Sequence, residues 1–411
     1  MREHYDELET RDPEVRERGL FSALPGLIAA ARERAPAWAR ILAGVDPAEV
    51  TDRAALARLP VTRKSALLAM QREALPFGGL TTVAPGELAR IFASPGPIYD
   101  PEGRRPDYWR MGRALFAAGF RRGEVIQNCF SYHMTPAGSM LEGGAAALGC
   151  AVIPAGVGQT ELQAQVMAEV RPDGYVGTPS FLKIILEKAD ELGRDCSSVR
   201  KALVSAEPFP PSLRQYFAGR GITARQCYAT ADVGLIAYES EAEEGLIVDE
   251  GILLEIVRPG TGDPVAEGEV GEVVVTVLNP EYPLIRFGTG DLSAVMPGPS
   301  PCGRTNVRIR GWMGRADQTT KVRGMFVRPE QVAEIVRRHP EIRRARLVVD
   351  RDDVRDTMVL RCEVAGAPEG LAEAVAATIQ AVTKLRGEVE LVPPGSLPND
   401  GKVIDDVRKF D

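Results

Sequence analysis

Between residues 125 and 206, short apolar runs alternate with segments of helical period, and this alternation limits the fold more than any other feature of the 411-residue chain. VIQNCF (125–130), CAVIPA (150–155), DGYVG (173–177) and KALVSA (201–206) read as strands. PAGSMLEGGAAAL (136–148), QTELQAQVMAEV (159–170) and residues 180–192 read as the helices between them. Strands and helices alternating at this spacing imply right-handed βαβ units and an α/β fold, a parallel sheet covered on both faces. Ligands of such sheets sit beyond the C-terminal strand ends. A site is therefore expected among loops 131–136, 155–160, 177–180 and 205–210.

The flanks read differently. Residues 13–43 carry Leu20, Leu24, Leu27 and Ile28 at helical spacing, with Pro25 expected to mark a break. In LPVTRKSALLAMQRE (59–73), Thr62 is expected to cap a helix that carries Leu67, Leu68 and Met70. ILLEIV (252–257), EVVVTVL (272–278) and DLSAVM (291–296) predict an antiparallel β unit. A helix beginning near Pro329, strands ARLVVD (345–350) and MVLRCEV (358–364), a helix through Leu371, Val375, Ile379 and Val382, and strand EVELV (388–392) make a separate α+β unit. The boundary is placed at Asp317, dividing the chain into 1–316 and 317–411.

Lys+Arg 50 against Asp+Glu 57 gives a net charge of −7, which offers nucleic acid no basic surface. Apolar stretches end well short of a membrane span. The charged N-terminus MREHYDELETRDPEVRERG lacks an apolar signal core, so a cytoplasmic location is expected. The six cysteines form no CxxC and read as free thiols. The three histidines lie far apart in sequence, which disfavours a His-rich metal site or a Ser-His-Asp triad and leaves His133 as the one histidine suited to a site.

Three segments follow one another in the last third: YPLIRFGTGD (282–291), GRADQTTKVRGMFVRPE (314–330) and LPNDGKV (397–403). They place an acid, an Arg–Asp pair and a lone lysine at expected loop positions, a layout suited to a lid that carries a lysine over a nucleotide. Asp291 can accept two hydrogen bonds from a sugar diol or serve as a turn aspartate. Arg315 offers a planar fork to ribose or phosphate oxygens or makes a surface salt bridge. Lys402 is a compact charge suited to a phosphate. Asp232, in CYATADVG (227–234), can hold Mg²⁺ or cap a helix. ASPGPIYDPEG (93–103) has the glycine of a phosphate cradle, but its prolines 95, 97 and 101 donate no N–H. No GxxxxGK[ST] or GxGxxG is present, which excludes a Walker-type ATPase and disfavours a Rossmann dehydrogenase.

Together these segments resemble the adenylate-forming superfamily of acyl-CoA synthetases and adenylation domains, and within it the phenylacetate–CoA ligase family. The resemblance covers nearly the whole chain and rests on LPVTRKSAL (59–67), AGVGQTELQ (155–163), TPSFL (178–182), SAEPFP (205–210) and PCGRTNVRIRGWMGRAD (301–317). It implies a large N-terminal domain with a parallel sheet and β subdomain, and a small mobile C-terminal α+β lid. Ala206, Glu207 and Pro208 would line the adenine pocket. Tyr228 would stack near adenine, with Ala229 and Thr230 in the following turn. Asp291 and Arg315 would hold the ribose hydroxyls, and Asp317 would be the hinge. Ser94 and Gly96 fit the family's phosphate loop, SSGTTGKP, whose two threonines and second glycine are lost here. Asp232 replaces the glutamate of the YGxTE-type motif and would carry Mg²⁺.

Lys402 would stabilise charge during adenylation. Lys321 and Gly324 would serve thioester formation, Gly324 along the CoA path. Phe130, Tyr132 and His133 are expected as walls of the acid pocket. The implied function is an ATP-dependent, AMP-forming ligase that activates an aromatic or small organic carboxylic acid and transfers it to CoA. ATP, Mg²⁺ and CoA are the expected cofactors; zinc, which some members hold in a Cys/His cluster, is not expected. Alternatives left open are a weakened member that binds an adenylate or acyl-CoA, transfer to a carrier-protein thiol, and a homodimer.

Overall fold

The fold is described from a computed structural model. It describes residues 3–94, 97–316, 318–323, 325–352, 355–366 and 368–408, with backbone alone for Lys321, Phe326, Arg351, Asp352 and Arg355. The chain opens with helices α1 (Pro13–Arg34), α2 (Pro36–Ile41) and α3 (Arg53–Ala57), strand β1 (Thr62–Arg63) and helix α4 (Lys64–Glu73). Helix α1 runs through Pro25, contrary to the expected break. Leu24 and Ile28, both fully buried, anchor it on either side of the proline, and the interruption falls at Ala35–Pro36 instead. Thr62 does not cap α4. It is extended in β1, Arg63 is the cap residue, and no side chain caps the helix.

Strands β2 (Arg90–Ser94) and β3 (Ile98–Glu102) pair as a two-stranded antiparallel hairpin, with Ser94 opposite Ile98 and Phe92 opposite Asp100. The expected phosphate loop is therefore largely strand. Pro101 is tolerated because a two-stranded ribbon has a free edge on each strand. Helix α5 (Met111–Ala117), all of whose residues are buried, follows the hairpin.

The alternating region folds as expected: β4 (Val125–Asn128), α6 (Ala137–Leu148), β5 (Ala151–Pro154), α7 (Thr160–Val170), β6 (Gly174–Gly177), α8 (Pro179–Glu191), β7 (Lys201–Val204), α9 (Pro211–Gly219) and β8 (Thr223–Thr230). The order β5-β4-β6-β7-β8 is parallel throughout. Then β9 (Gly234–Glu239) turns back antiparallel to β8, and β10 (Leu246–Val248) follows it. Strands β11 (Ile252–Val257), β12 (Gly271–Val277) and β13 (Leu284–Ser293) join β1 in a sheet of order β1-β13-β12-β11. Asp291 therefore lies within a strand and not after a turn. Short strands β14 (Val295–Met296) and β15 (Arg308–Ile309) complete the nine-stranded sheet at its β10 side.

The remainder holds hairpin β16 (Thr320–Val322) and β17 (Met325–Val327), helix α10 (Pro329–Arg338), β18 (Ile342–Asp352), β19 (Arg355–Val364), α11 (Leu371–Thr383), β20 (Glu388–Val392) and β21 (Ile404–Asp406). Here the sheet order is β20-β19-β18-β21. Val332 and Ile335 of α10 and Val375 and Ile379 of α11 are buried in one core with Leu347, Val349 and Leu360. Each such side chain contributes about 1.5–3 kcal/mol of burial.

The chain divides into two compact units. The first holds residues 3–254, 275–287 and 296–312, and the second holds 255–274, 288–295 and 313–408.

Candidate active site

In the first unit, the residues expected at the site gather along the C-terminal edge of the parallel strands. The loop after β4 carries Phe130, Tyr132 and His133. Phe130 is buried in the main core, and His133 is exposed. Tyr132 is half-buried, and its hydroxyl accepts from the Asn128 amide at 2.8 Å. Burial, then the Glu142 carboxylate, pushes its phenol well above the usual range. The Ala93 N–H donates to the Met134 carbonyl at 2.8 Å, which ties hairpin β2/β3 to this loop.

After β7, Ala206 adopts a left-handed backbone with φ 70°, and the Glu207 carboxylate accepts the Ser180 N–H at 2.6 Å at the start of α8. The Ser205 hydroxyl donates to the Cys227 carbonyl at 2.8 Å and so links this loop to β8. Pro208 is exposed. Tyr228, Ala229 and Thr230 are the last residues of β8, so Ala229 and Thr230 lie in strand and not in the turn. The turn itself is 231–233, and the Thr230 hydroxyl accepts the Val233 N–H at 3.2 Å.

Asp232, in that turn, is buried, and the Lys64 ammonium donates to its Oδ2 at 2.5 Å. Its Oδ1 is buried without a hydrogen-bond partner. Asp100 of β3 lies close by, fully buried, and neither of its oxygens has a partner among the described residues. Ser94 is near, but its hydroxyl is directed to the Ile98 carbonyl at 3.2 Å. Burial, then the Asp232 carboxylate, raises the Asp100 carboxyl to about 7, while Ser94 and Lys64 oppose the shift. The Tyr282 hydroxyl is also buried and unpartnered, and both carboxylates act on it. Neither Lys64 nor Asp100 nor Tyr282 was picked out from sequence. One signal was available: Asp100 stands where the SSGTTGKP pattern has its lysine.

In the second unit, Asp291 of β13 and Arg315 form an antiparallel bridge, and the Arg315 Nη1 lies 2.7 Å from Asp291 Oδ1. The Leu292 N–H donates to the Gly314 carbonyl and the Ala316 N–H to the Gly290 carbonyl, so GRAD lies along the strand. Gly290 has φ 76°, and a β-carbon there would meet the Arg315 guanidinium at 2.8 Å. This position requires glycine on both counts.

Lys402 sits in the loop before β21, about half-exposed, with Nζ 2.7 Å from Asp405 Oδ1. The loop is held closely. A β-carbon on Gly401 would touch Val270 at 2.7 Å and Leu292 at 3.1 Å. The Gln318 side chain donates to the Gly401 carbonyl at 3.1 Å and accepts the N–H groups of Val403 and Ile404 at 2.6 and 2.8 Å. The unit thus brings Asp291, Arg315 and the Lys402 loop into one neighbourhood. Lys321 is in β16, paired with Phe326. Gly96, Asp317 and Gly324 lie outside the described residues.

Residues 111–277 match the family model described as AMP-binding enzyme. A phenylacetate–coenzyme A ligase of Thermus thermophilus is 34% identical over 83% of this chain and 80% of that protein. The Escherichia coli protein of the same name is 35% identical over 71% of this chain and 69% of its own length. Among solved structures, 2-hydroxyisobutyryl-CoA ligase in its postadenylation state superimposes with a TM-score of 0.74 at 24% identity, over 98% of this chain and 92% of that one. That likeness speaks to the fold, and the two relatives speak to descent. With identities above 30% over most of its length and an adenylate-forming fold, the chain belongs to the phenylacetate–coenzyme A ligase family of AMP-binding enzymes.

Proposed function

We infer that this protein is an ATP-dependent, AMP-forming acid–CoA ligase for an aromatic or small organic carboxylic acid. The observation that supports it most is the pairing of Asp291 with Arg315 beside the loop of Lys402. One carboxylate and one guanidinium suit a ribose diol, and an ammonium close to them suits a phosphate. The substrate carboxylate attacks the ATP α-phosphorus, the bond to the β-phosphate oxygen breaks, and acyl-AMP and pyrophosphate form. The CoA thiol then attacks the acyl carbon, loses its proton, and AMP leaves.

In this reading Lys402 offsets charge at the α-phosphate, and Ala206–Pro208 and Tyr228, with Ala229 and Thr230 at the end of β8, hold adenine. Tyr132 and His133, next to buried Phe130, wall the acid pocket. Residues 317–411 move as the lid about Asp317, and Lys321 and Gly324 serve the thioester step. The orphaned, buried Oδ1 of Asp232 suits a hard cation. Asp232 would hold Mg²⁺, which offsets phosphate charge when bound. The cytoplasm supplies ATP and CoA, and this reading puts the protein there.

A pyrophosphate-release screen over a panel of carboxylic acids, followed by thioester detection on adding CoA, tests the reading. Acid-dependent pyrophosphate release with CoA-dependent thioester is expected. No release with any aromatic or small aliphatic acid would sink it.

A further inference from the structure

Two acids that the sequence keeps far apart meet in the first unit without enough partners. Asp100 comes from β3 and Asp232 from the turn after β8, at 0% and 3% exposure. Three of their four oxygens have no hydrogen-bond partner among the described residues. The fourth, Asp232 Oδ2, takes the Lys64 ammonium. Independently, the Tyr282 hydroxyl, on a residue 1% exposed, has no partner and lies where both carboxylates act on it. The large majority of buried polar side-chain atoms in folded proteins have a hydrogen-bond partner, and here the orphans are gathered at one place. A cluster of orphaned oxygens therefore points to a ligand that binds oxygen.

We propose that Asp100 and Asp232 together take one hard divalent cation, and that Lys64 is the counter-ion this cation displaces. The proposal rests on the ligase reading only for its purpose; the site itself is argued from the side chains. Carboxylate oxygens are hard donors of the kind Mg²⁺ and Mn²⁺ select. No group of three or more His, Cys, Asp or Glu among the described residues is arranged to hold a metal. Two carboxylates suffice for a cation that keeps waters or phosphate oxygens in its remaining positions.

Lys64 brings a single positive charge against the two acids. Its side chain is 28% exposed while that of Asp232 is fully buried, so the lysine has a route outward that the acid lacks. Once displaced, its ammonium is free to meet phosphate oxygens. It would replace part of the donor capacity lost where Pro97 and Pro101 stand in the hairpin.

Mn²⁺ binding to the full chain, without ATP, acid or CoA, tests this apart from any activity. Free Mn²⁺ is followed by electron paramagnetic resonance, and Mg²⁺ competes. The wild type should bind one Mn²⁺ per chain. Asp100→Asn should weaken binding roughly tenfold or more while melting like the wild type, and Lys64→Met should tighten it severalfold. Undiminished binding in Asp100→Asn would overturn the two-carboxylate site. Unchanged affinity in Lys64→Met would overturn the displacement. No Mn²⁺ bound to the wild type at millimolar concentration would overturn the whole proposal and leave the pair sharing a proton. Acid-dependent pyrophosphate release that persists alongside such a result would leave the ligase reading standing.

Discussion

Glu9 and Asp100 are both fully buried, and they are opposites. Glu9 accepts from the Tyr5 N–H at 3.1 Å, the Tyr238 hydroxyl at 2.8 Å and the Arg304 Nε at 3.0 Å, and Arg113 lies 3.4 Å away. Asp100 has no partner among the described residues and a second acid beside it. Burial alone does not say what an acid is for. Glu9 has used its oxygens in pinning the N-terminal segment to β9 and to the segment around Arg304. Asp100 has its oxygens in reserve, beside Asp232 of the turn after β8.

The largest effect should come from breaking the satisfied acid. Glu9→Ala leaves the Arg304 guanidinium buried without its inner partner and should cost about 3–5 kcal/mol. Asp100→Asn, measured by urea unfolding in chelator, should leave stability unchanged or raise it. Equal losses in the two variants would erase the contrast. Two paired lysines differ in exposure instead. Lys201 is held by Glu124 at 2.8 Å and by the Gly119 carbonyl, whereas Lys402 is half-exposed with Asp405 at 2.7 Å. Lys402→Ala should raise the barrier to acyl-adenylate formation by about 2–4 kcal/mol, with AMP affinity nearly unchanged. Single-turnover pyrophosphate release at the wild-type rate would remove Lys402 from the chemistry.

Asp107 is the intermediate case. Its Oδ2 accepts the Gly112 N–H at 2.9 Å, its Oδ1 is buried without a partner, and burial raises it to about 6. The folded value lies above the unfolded one, so ionisation works against the fold. The penalty is absent below about pH 4, grows as pH rises, and is complete above about 6, at about 2–3 kcal/mol. Asp107→Asn should therefore melt higher than the wild type at pH 8 and alike at pH 4. A constant difference across that range would mean the carboxyl is not strained. The smallest expected effect is an absence of preference. In chelator, ATP should bind no more than tenfold tighter than AMP, within about 1.4 kcal/mol. Calorimetry that finds a larger gap would mean that other donors already serve the outer phosphates.

The parallel sheet was legible because its strands are apolar runs separated by helices of fixed period. The C-terminal α-β-β-α-β order was legible for the same reason. Asp291 was misread because FGTGD looks like a turn. In the fold, Gly290 takes a positive φ inside the strand and pairing continues, so the glycines mark an irregular strand. Thr62 was misread because two residues of strand next to a helix have no period of their own. The hairpin of 90–102 was hidden by prolines that an edge strand tolerates. Lys64 and Asp232 are 168 residues apart, and their contact has no sequence spacing to betray it. The residues around Asp291, Arg315 and Lys402 were legible as motifs, while the acid pair had to be seen in space.

The grip of Gln318 on the Lys402 loop has a mechanical consequence. Three hydrogen bonds join a side chain next to position 317 to residues 83–86 positions further along. If the chain pivots at 317, the lysine does not trail behind on a slack tether. It would swing on a short, stiff crank whose arm is set by that amide. Lengthening or cutting the arm at Gln318 would leave the pivot free and the lysine intact, yet spoil the timing with which one arrives as the other turns.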